Sequence, residues 1–213
     1  MIDIKLIETC GWGPAFHGMR NPKDSWDRAD SGYRANLFNG EQCFEIGPND
    51  LTLSTTLAKG GPVHAKYRRM IKIYCDITAP LYWWKEFDTY KIGTTANSCS
   101  TMHTIHRRDL TLDDFAHEHL TECNRNLLEM TIRNINAARR EFIEANDAGA
   151  AKEAWWQMIQ LLPSSFLQKR TVEMNYEVLT NIHHWRHNHK QDEWVDFCHW
   201  IEQLPYAKEL ILI

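Results

Sequence analysis

Apolar and polar residues alternate in the first part of the chain. Residues 2–6 and 71–78 show this period of two, and on the second segment every apolar position is isoleucine or cysteine. Such alternation predicts half-buried strands. Residues 43–46 (CFEI) predict another short strand. A helix capped by Asn49 or Asp50 is predicted to run to the glycine pair at 60–61.

Helical spacing replaces alternation in the second half. Thr111 and Asp114 resemble a capping box, and neither glycine nor proline occurs from there to about residue 145. Apolar residues follow helical spacing over this segment, which predicts a long amphipathic helix over 111–145. Further helices are predicted over 151–162, 171–189 and 192–203.

Strands that come early and long helices in the second half predict an α+β fold. The 213 residues fit a single domain over 1–213. Residues 11–40 are rich in glycine, asparagine, aspartate and proline, and are predicted to form a loop-rich excursion. Long loops in compact domains are often functional.

Composition places the chain among ordinary globular proteins, with 43% hydrophobic and 24% charged residues. The net charge of −4 gives no general attraction to nucleic acid or to an anionic membrane. No apolar run reaches the length of a membrane span, and the N-terminal segment does not have the pattern of a signal peptide. The six cysteines are scattered singly, which is typical of a reducing compartment. We therefore expect a soluble cytoplasmic protein.

The histidines raise the question of a metal site. His183 and His187, four residues apart, could share a helix face as metal ligands do. No carboxylate lies between them as in the H-E-x-x-H motif, and a solvated polar face explains them without a metal. We predict no metal. Motifs for an activated serine and for phosphate-binding glycine loops are also absent.

A polar segment draws attention next. Residues 86–103 read EFDTYKIGTTANSCSTMH and follow the aromatic run of residues 79–84. The segment could be a plain turn between a strand and a helix. Alternatively, its neutral hydrogen-bond donors could form a cradle for a ligand. The donors at its centre are Thr94, Thr95, Asn97, Ser98 and Ser100.

This segment resembles the signature R-H-R-x-x-S-x-N-x-x-S-x-R of the flavin-dependent thymidylate synthases. Counted backward from Asn97, the S-x-N-x-x-S part falls on Thr95, Asn97 and Ser100. Counted forward from the strand, the R-H-R triplet falls on Thr89, Tyr90 and Lys91, with Thr94 as the serine. The two counts differ by one residue, so an insertion lies within 94–96.

A second part of the resemblance lies downstream. The family has a Leu-Pro pair followed by an N-x-R-x-L-x-x-F-x-x-x-R helix. Here Leu162-Pro163 is followed by Asn175, Leu179 and Arg186 at matching spacing. Together with the order of elements, the resemblance covers residues 45–205, and it implies the fold of that family.

The resemblance also implies ligands and an assembly. The implied cofactor is FAD, held by Thr89, Tyr90, Lys91, Asn97 and Asn175. The implied substrate is a nucleotide, deoxyuridine monophosphate in the family, and the family assembles as a homotetramer. The residues that the resemblance assigns to the substrate, with Arg107 added as a nearby cation, are Thr94, Thr95, Ser100, Arg186 and Arg107.

Charge separates this chain from the family. Thr89, Met102 and Glu177 stand where the family has arginines that grip phosphate, and Lys91 replaces another. Cations that could compensate are Arg68, Arg69, Arg107 and Arg108. Two functions are therefore open. One is a divergent thymidylate synthase-like enzyme that does not follow the usual route, and the other is a non-catalytic nucleotide-binding or sequestering protein with the same fold.

Overall fold

The computed structural model describes residues 1–35 and 42–213. Its strands are β1 Asp3–Cys10, β2 Gly32–Ala35, β3 Gln42–Glu45, β4 Lys72–Pro80, β5 Thr95–Ser98 and β6 Leu167–Asn175. Its helices are α1 Trp12–Gly18, α2 Pro48–Lys59, α3 Leu81–Phe87, α4 Thr101–Thr104, α5 Glu122–Glu144, α6 Ala148–Leu161, α7 Tyr176–Arg186, α8 Asp192–Glu202 and α9 Ala207–Leu210. Short 3₁₀ segments cover Asn21–Lys23, Trp26–Arg28, Lys66–Met70 and Leu112–Asp114.

The strands of the described residues form two sheets. One contains four strands in the order β1-β4-β6-β5, and the other pairs β2 with β3. The β2–β3 pair is antiparallel, with Tyr33 opposite Phe44. This mixture of sheet and helix confirms the predicted α+β class. The predicted strands over 2–6, 43–46 and 71–78 correspond to β1, β3 and β4.

The chain groups into two compact units. Unit 1 comprises Met1–Asp3, Ile77–Thr89 and Asn97–Arg170. Unit 2 comprises Ile4–Asp76, Tyr90–Ala96 and Thr171–Ile213. The prediction of a single domain over 1–213 stays a prediction. No helix within the described residues combines the length and the apolarity that a membrane span requires.

The helix predicted over 171–189 is wrong in its first part. Residues up to Asn175 belong to β6, and α7 begins only at Tyr176. Val172 and Met174 are both fully buried, and they lie two positions apart as strand geometry requires. Asn175 then ends the strand and caps the helix, because its side-chain oxygen accepts a hydrogen bond from Val178 N over 3.0 Å.

The long helix begins later than the sequence suggested. The capping box of Thr111 and Asp114 is present, but it caps the start of the 3₁₀ segment Leu112–Asp114 and not that of the long helix. Phe115 follows in extended conformation and makes an isolated β-bridge to Phe166. Helix α5 starts at Glu122, where Thr121 accepts a hydrogen bond from Asn124 N.

Helices α5 and α6 build the core of unit 1. The buried face of α5 carries residues at helical spacing, which pack around the fully buried Met158 of α6. Such a stripe on a helix of 23 residues is typical of an amphipathic helix that faces a core on one side. The buried α5 residues are Leu128, Ile132, Ile135 and Ala138.

The segment predicted to be loop-rich contributes to the core of unit 2. Its described part contains α1, two 3₁₀ segments and β2, whereas its residues 36–40 lie outside the described residues. Trp12 of α1 is 4% exposed. Its ring lies 5.3 Å from the ring of Tyr176 and 6.1 Å from that of Phe44, measured between centroids. The excursion is therefore anchored by aromatic packing at its start.

Candidate functional site

The start of α7 is held against a tight turn of unit 2. Asn175 is 5% exposed, and its side-chain amide donates to the carbonyl oxygen of Gly93 over 3.5 Å. Gly93 has a φ of 77°, a conformation that favours glycine. A Cβ atom at Gly93 would lie 2.7 Å from Asn175 Nδ2. The backbone of the turn therefore approaches the helix start as closely as only glycine permits.

A cavity of about 1100 Å³ opens beside this helix start. Its volume suits a ligand larger than a single sugar or base. Asn175 and Gly93 lie in its wall, and every lining residue belongs to unit 2. The other lining residues are Ala58, Lys59, Gly61, Pro62, Arg68, Arg69, Ile92, Glu177, Val178, Thr180, Asn181, His183, His184, His187, Ile211, Leu212 and Ile213.

Positive charge predominates in the wall of this cavity. Lys59, Arg68 and Arg69 line it, and Glu177 is the acidic side chain among the lining residues that the structure describes. Three histidines of α7 and of the turn that follows lie in the same wall. Such a set of cations is suited to a ligand that carries phosphate.

Arg68 and Glu177 form an ion pair in this wall. Arg68 Nη2 lies 3.1 Å from Glu177 Oε2, and the two side chains are 5% and 20% exposed. Nη1 of Arg68 donates to the carbonyl oxygen of Leu210 over 2.9 Å and to Thr180 Oγ1 over 3.2 Å. Glu177 occupies a position at which the resemblance expects arginine. Arg68 therefore neutralises the carboxylate that stands where the resemblance expects a cation.

The ten residues predicted to bind ligands are divided between the two units. Thr89, Asn97, Ser100 and Arg107 belong to unit 1, and only Asn175 among the ten lines the large cavity. Their ligand-binding roles stay predictions. The remaining predicted residues, which belong to unit 2, are Tyr90, Lys91, Thr94, Thr95 and Arg186.

Two of the predicted threonines make local turn contacts. The Thr89 hydroxyl donates to the carbonyl oxygen of Glu86 over 2.7 Å, and the Thr94 hydroxyl donates to that of Tyr90. Lys91, Thr95 and Asn97 have exposed side chains. Half-buried Ser100 precedes α4, and its carbonyl oxygen accepts from the Thr104 hydroxyl over 2.8 Å. Two hydroxyl donors of the polar segment, those of Thr89 and Thr94, thus stabilise turns.

Arg107 lies in the wall of a second cavity, which measures about 650 Å³ and belongs to unit 1. Its neighbour Arg108 is paired with Asp114, with 2.8 Å between Nη1 and Oδ2. Burial alone would raise the pKa of Asp114, but hydrogen bonds from Arg108 and Thr111 lower it. Arg108 is therefore engaged within the protein, and Arg107 is the more available of the two cations.

The aromatic run before the polar segment is structural. Trp83 and Trp84 are 0% and 1% exposed and pack against Phe87. Buried rings of this kind offer no face to a ligand. Neither Lys59 nor Gly93 was predicted from the sequence to belong to a site. A glycine between Ile92 and Thr94 in a polar segment is a turn signal that could have marked the second.

The histidine segment forms a stacked pair. The rings of His183 and His187 lie 5.5 Å apart between centroids and are nearly parallel. His183 Nε2 contacts Glu202 Oε1 over 2.9 Å. Within residues 1–35 and 42–213, no group of three His, Cys, Asp or Glu side chains is placed to hold a metal ion.

Comparison with known proteins identifies the fold. No protein-family model and no curated protein sequence matches the chain. Among solved structures, it is similar to thymidylate synthase X from Helicobacter pylori with FAD and dUMP, at a TM-score of 0.67 and 16% identity over 99% of this chain and 97% of that one. A further structure of that flavin-dependent enzyme, also with FAD and dUMP, gives a TM-score of 0.66 and 16% identity over 98% and 97% of the chains.

A third similar structure is a UMP/dUMP methylase, PolB from Streptomyces cacaoi, bound with 5-Br dUMP. Its TM-score is 0.59, with 13% identity over 98% of this chain and 91% of that one. The likeness spans nearly the whole length of the chain in all three solved structures. The chain has the fold of the flavin-dependent thymidylate synthases, as the resemblance in its sequence implied.

Proposed function

We propose that this chain, which has the fold of the flavin-dependent thymidylate synthases, binds a nucleotide in the cavity beside Asn175 without methylating dUMP by the usual route. The observation that carries the proposal is the cationic wall of that cavity, where the side chains of Lys59, Arg68 and Arg69 are set against the acidic side chain of Glu177. Two similar structures hold FAD and dUMP, and a third holds a dUMP analogue.

The residues present suit the phosphate part of FAD. The cavity combines guanidinium and ammonium groups with the side chain of Asn181, and these groups can hold phosphate oxygens. FAD, when bound, would supply redox chemistry that no side chain provides. The contribution of this chain would be to bind the phosphates and to orient the bound nucleotide.

The usual methylation is not expected because the signature positions lack the charge that it uses. Thr89 and Met102 in the signature, and Glu177 in the downstream helix motif, stand where the resemblance places arginines. Each lost charge-assisted hydrogen bond weakens phosphate binding by about 1.5–3 kcal/mol. Arg68 and Arg69 supply cations from the 3₁₀ segment Lys66–Met70 instead. We therefore expect a substrate whose phosphate lies at a different position from that of dUMP in the family.

A second function is favoured by the contacts of two predicted cofactor residues. Tyr90 accepts a hydrogen bond from Arg186, and Asn175 caps α7 and contacts Gly93. Because these side chains already have protein partners, they are less available to a flavin. Their contacts favour a non-catalytic protein that holds or sequesters a nucleotide. We further propose a homo-oligomer, a tetramer by analogy with the family, in the cytoplasm, where six free thiols are stable.

Absorbance and calorimetry test these proposals. Flavin absorbance in the purified protein, or after addition of FAD, supports a divergent flavin-dependent enzyme. A colourless protein that binds dUMP or UMP but not FAD supports the sequestering function. Titration with FAD, dUMP and UMP should give binding that Arg69→Gln weakens about tenfold or more. Arg133→Gln on the exposed face of α5 is the matched control.

Growth and size measurements complete the test. A thymidine-requiring host that expresses the chain should not grow without thymidine, and growth that depends on the chain would contradict the proposed departure from the usual route. Light scattering should give a mass above the 25.1 kDa of one chain. A stable monomer at micromolar concentration would contradict the proposed oligomer.

A further inference from the structure

The guanidinium group of Arg68, in the wall of the large cavity, has one N–H group without a hydrogen-bond acceptor among the described residues. Nη1 has two acceptors, Thr180 Oγ1 and the carbonyl oxygen of Leu210. Nη2 faces Glu177 Oε2 at 3.1 Å. Within the part of the chain that the structure describes, Nε has no hydrogen-bond partner, although the residue is only 4% exposed.

The contact between Arg68 and Glu177 leaves hydrogen-bonding groups of both side chains without partners. Nε and Nη2 form one edge of the guanidinium plane, and two oxygen atoms of a single carboxylate or phosphate can bind both N–H groups of such an edge. Glu177 Oε2 lies 3.1 Å from Nη2, whereas Nε has no hydrogen-bond partner among the described residues. Oε2 also has no hydrogen-bond partner among the described residues, so the contact is an ion pair without an aligned hydrogen bond.

Glu177 is placed where it can exchange this contact for another. It is the second residue of α7, an 11-residue helix, and its side chain is 20% exposed, compared with 5% for Arg68. A buried donor without a partner is unfavourable, and a second anion beside the carboxylate would be repelled by it. Both effects favour a state in which Glu177 turns toward water and a ligand occupies the edge of Arg68.

We propose that the Nε–Nη2 edge of Arg68 is a phosphate-binding group and that Glu177 is an internal competitor for it. This inference rests on the proposed function, because it assigns the ligand's phosphate to one side chain of the same cavity. Glu177 then acts as a built-in inhibitory contact. It lowers affinity for any phosphate-bearing ligand, and it excludes ligands whose charge is too small to displace a carboxylate.

The test is substitution of the competitor alone. Glu177→Gln keeps the size of the side chain and removes its charge. Its affinity for UMP and for inorganic phosphate, measured by calorimetry, should rise about tenfold, since one charged hydrogen-bond partner is released to the ligand. Glu173→Gln is the matched control, because Glu173 also belongs to unit 2 and pairs with a cation, Lys72, outside the cavity wall.

A second variant removes the phosphate-binding group. Arg68→Lys should lose the gain when it is combined with Glu177→Gln, because an ammonium group cannot present the two-donor edge. If Arg68→Lys does not fold, the comparison of Glu177→Gln with Glu173→Gln still decides the question. Equal or weaker phosphate affinity in Glu177→Gln, relative to the unaltered chain, overturns the inference.

The outcomes separate this inference from the proposed function. Binding of UMP or FAD that is equal in the unaltered chain, Glu177→Gln and Glu173→Gln supports the proposed function and overturns the inference. Tighter binding of inorganic phosphate by Glu177→Gln, with no binding of any nucleotide, supports the inference and overturns the proposed function. Absence of phosphate and nucleotide binding in every variant overturns both.

Discussion

Arg186 donates a hydrogen bond from Nε to the hydroxyl oxygen of Tyr90, with 3.0 Å between the two atoms. The guanidinium carbon of Arg186 also lies 4.7 Å from the centroid of the Trp194 ring. The resemblance assigns Arg186 to the substrate and Tyr90 to the cofactor. In this chain the two side chains contact each other, so the orientation of Arg186 is fixed by the protein itself.

Asn175 is predicted to contribute to stability mainly as a helix cap. Asn175→Ala removes the acceptor for Val178 N and should lower the free energy of unfolding by about 1 kcal/mol. Asn175→Ser keeps an acceptor but loses the amide that contacts Gly93, so it should lose less. Urea unfolding measures both. Equal losses would show that the contact with Gly93, and not the cap, carries the effect.

Gly93→Ala should be more destabilising than Gly61→Ala. Both glycines have positive φ, 77° and 87°, which costs alanine about 1–2 kcal/mol at either position. A Cβ at Gly61 meets open space, whereas one at Gly93 would lie 2.7 Å from Asn175 Nδ2 and 3.0 Å from Val178 Cγ2. Thermal unfolding of the two variants isolates the crowding. Equal melting temperatures would contradict the close approach of this turn to α7.

Asp50 is predicted to make stability depend on pH in the acid range. Burial alone would raise its pKa, but hydrogen bonds from Ser31, Arg20 and the backbone of Asp30 lower it. Because the folded pKa lies below the unfolded value of about 3.9, the contribution is complete above that value and is lost as pH falls through the folded pKa.

Asp50→Asn tests this pH dependence. At pH 7 it should destabilise the protein by about 3 kcal/mol, since Arg20, which is 2% exposed, loses its charged partner. The difference from the unaltered chain should shrink as pH falls below about 4. Asp88→Asn removes an exposed carboxylate paired with Arg170 and should cost less than about 1 kcal/mol. A difference for Asp50→Asn that does not change with pH would contradict the assignment.

The cysteines should fall into two classes of reactivity. Burial raises the pKa of the Cys75 and Cys198 thiols to about 12 in each case. Alkylation at pH 8 followed by mass spectrometry should therefore modify these two only after unfolding, because the thiolate is the nucleophile. The exposed thiols that should react in the folded protein are Cys43, Cys99 and Cys123. Modification of Cys198 at the rate of Cys99 would contradict the fold of α8.

Asn97 and Ser100 allow the two interpretations of the polar segment to be separated. If the segment holds a ligand, Asn97→Ala and Ser100→Ala should abolish nucleotide binding with little change in melting temperature, since Asn97 is exposed and Ser100 is half-buried. If the segment is only a turn, binding should be unchanged and the melting temperature should fall. Calorimetry and thermal unfolding of the same preparations give both readings.

The sequence predicted those elements whose apolar residues keep one period throughout. The alternation over 71–78 marked β4, because one side of it is buried without exception. Strand β6 was not predicted, since its first half carries Lys169 and Arg170 and its alternation is clear only at Val172 and Met174. Helix α7 follows directly at Tyr176, so the helix predicted from its periodicity was extended too far toward the N-terminus, over the end of β6.

The cavity was less predictable than the fold. The resemblance marked Asn175, which lines the cavity, whereas Arg68 and Arg69 were predicted only as flanking cations that could compensate for the missing arginines. Pairing of Arg68 with Glu177 joins residues far apart in the chain, and no local pattern encodes such a contact. Sequence spacing equally could not show that Thr89 and Thr94 donate to the carbonyl oxygens of their own turns.

The strand order β1-β4-β6-β5 has a consequence for how the chain reaches its native state. Each neighbouring pair in this sheet joins segments that are distant in sequence, and β5 is separated from β6 by three helices. Such non-local pairing slows folding, because the entropy of closing long loops is lost before the strands form stabilising contacts. During synthesis, β4 has an unpaired edge until Leu167–Asn175 has emerged, and an open edge is a template for association between chains. The growing polypeptide is therefore most prone to aggregate before its last strand is complete.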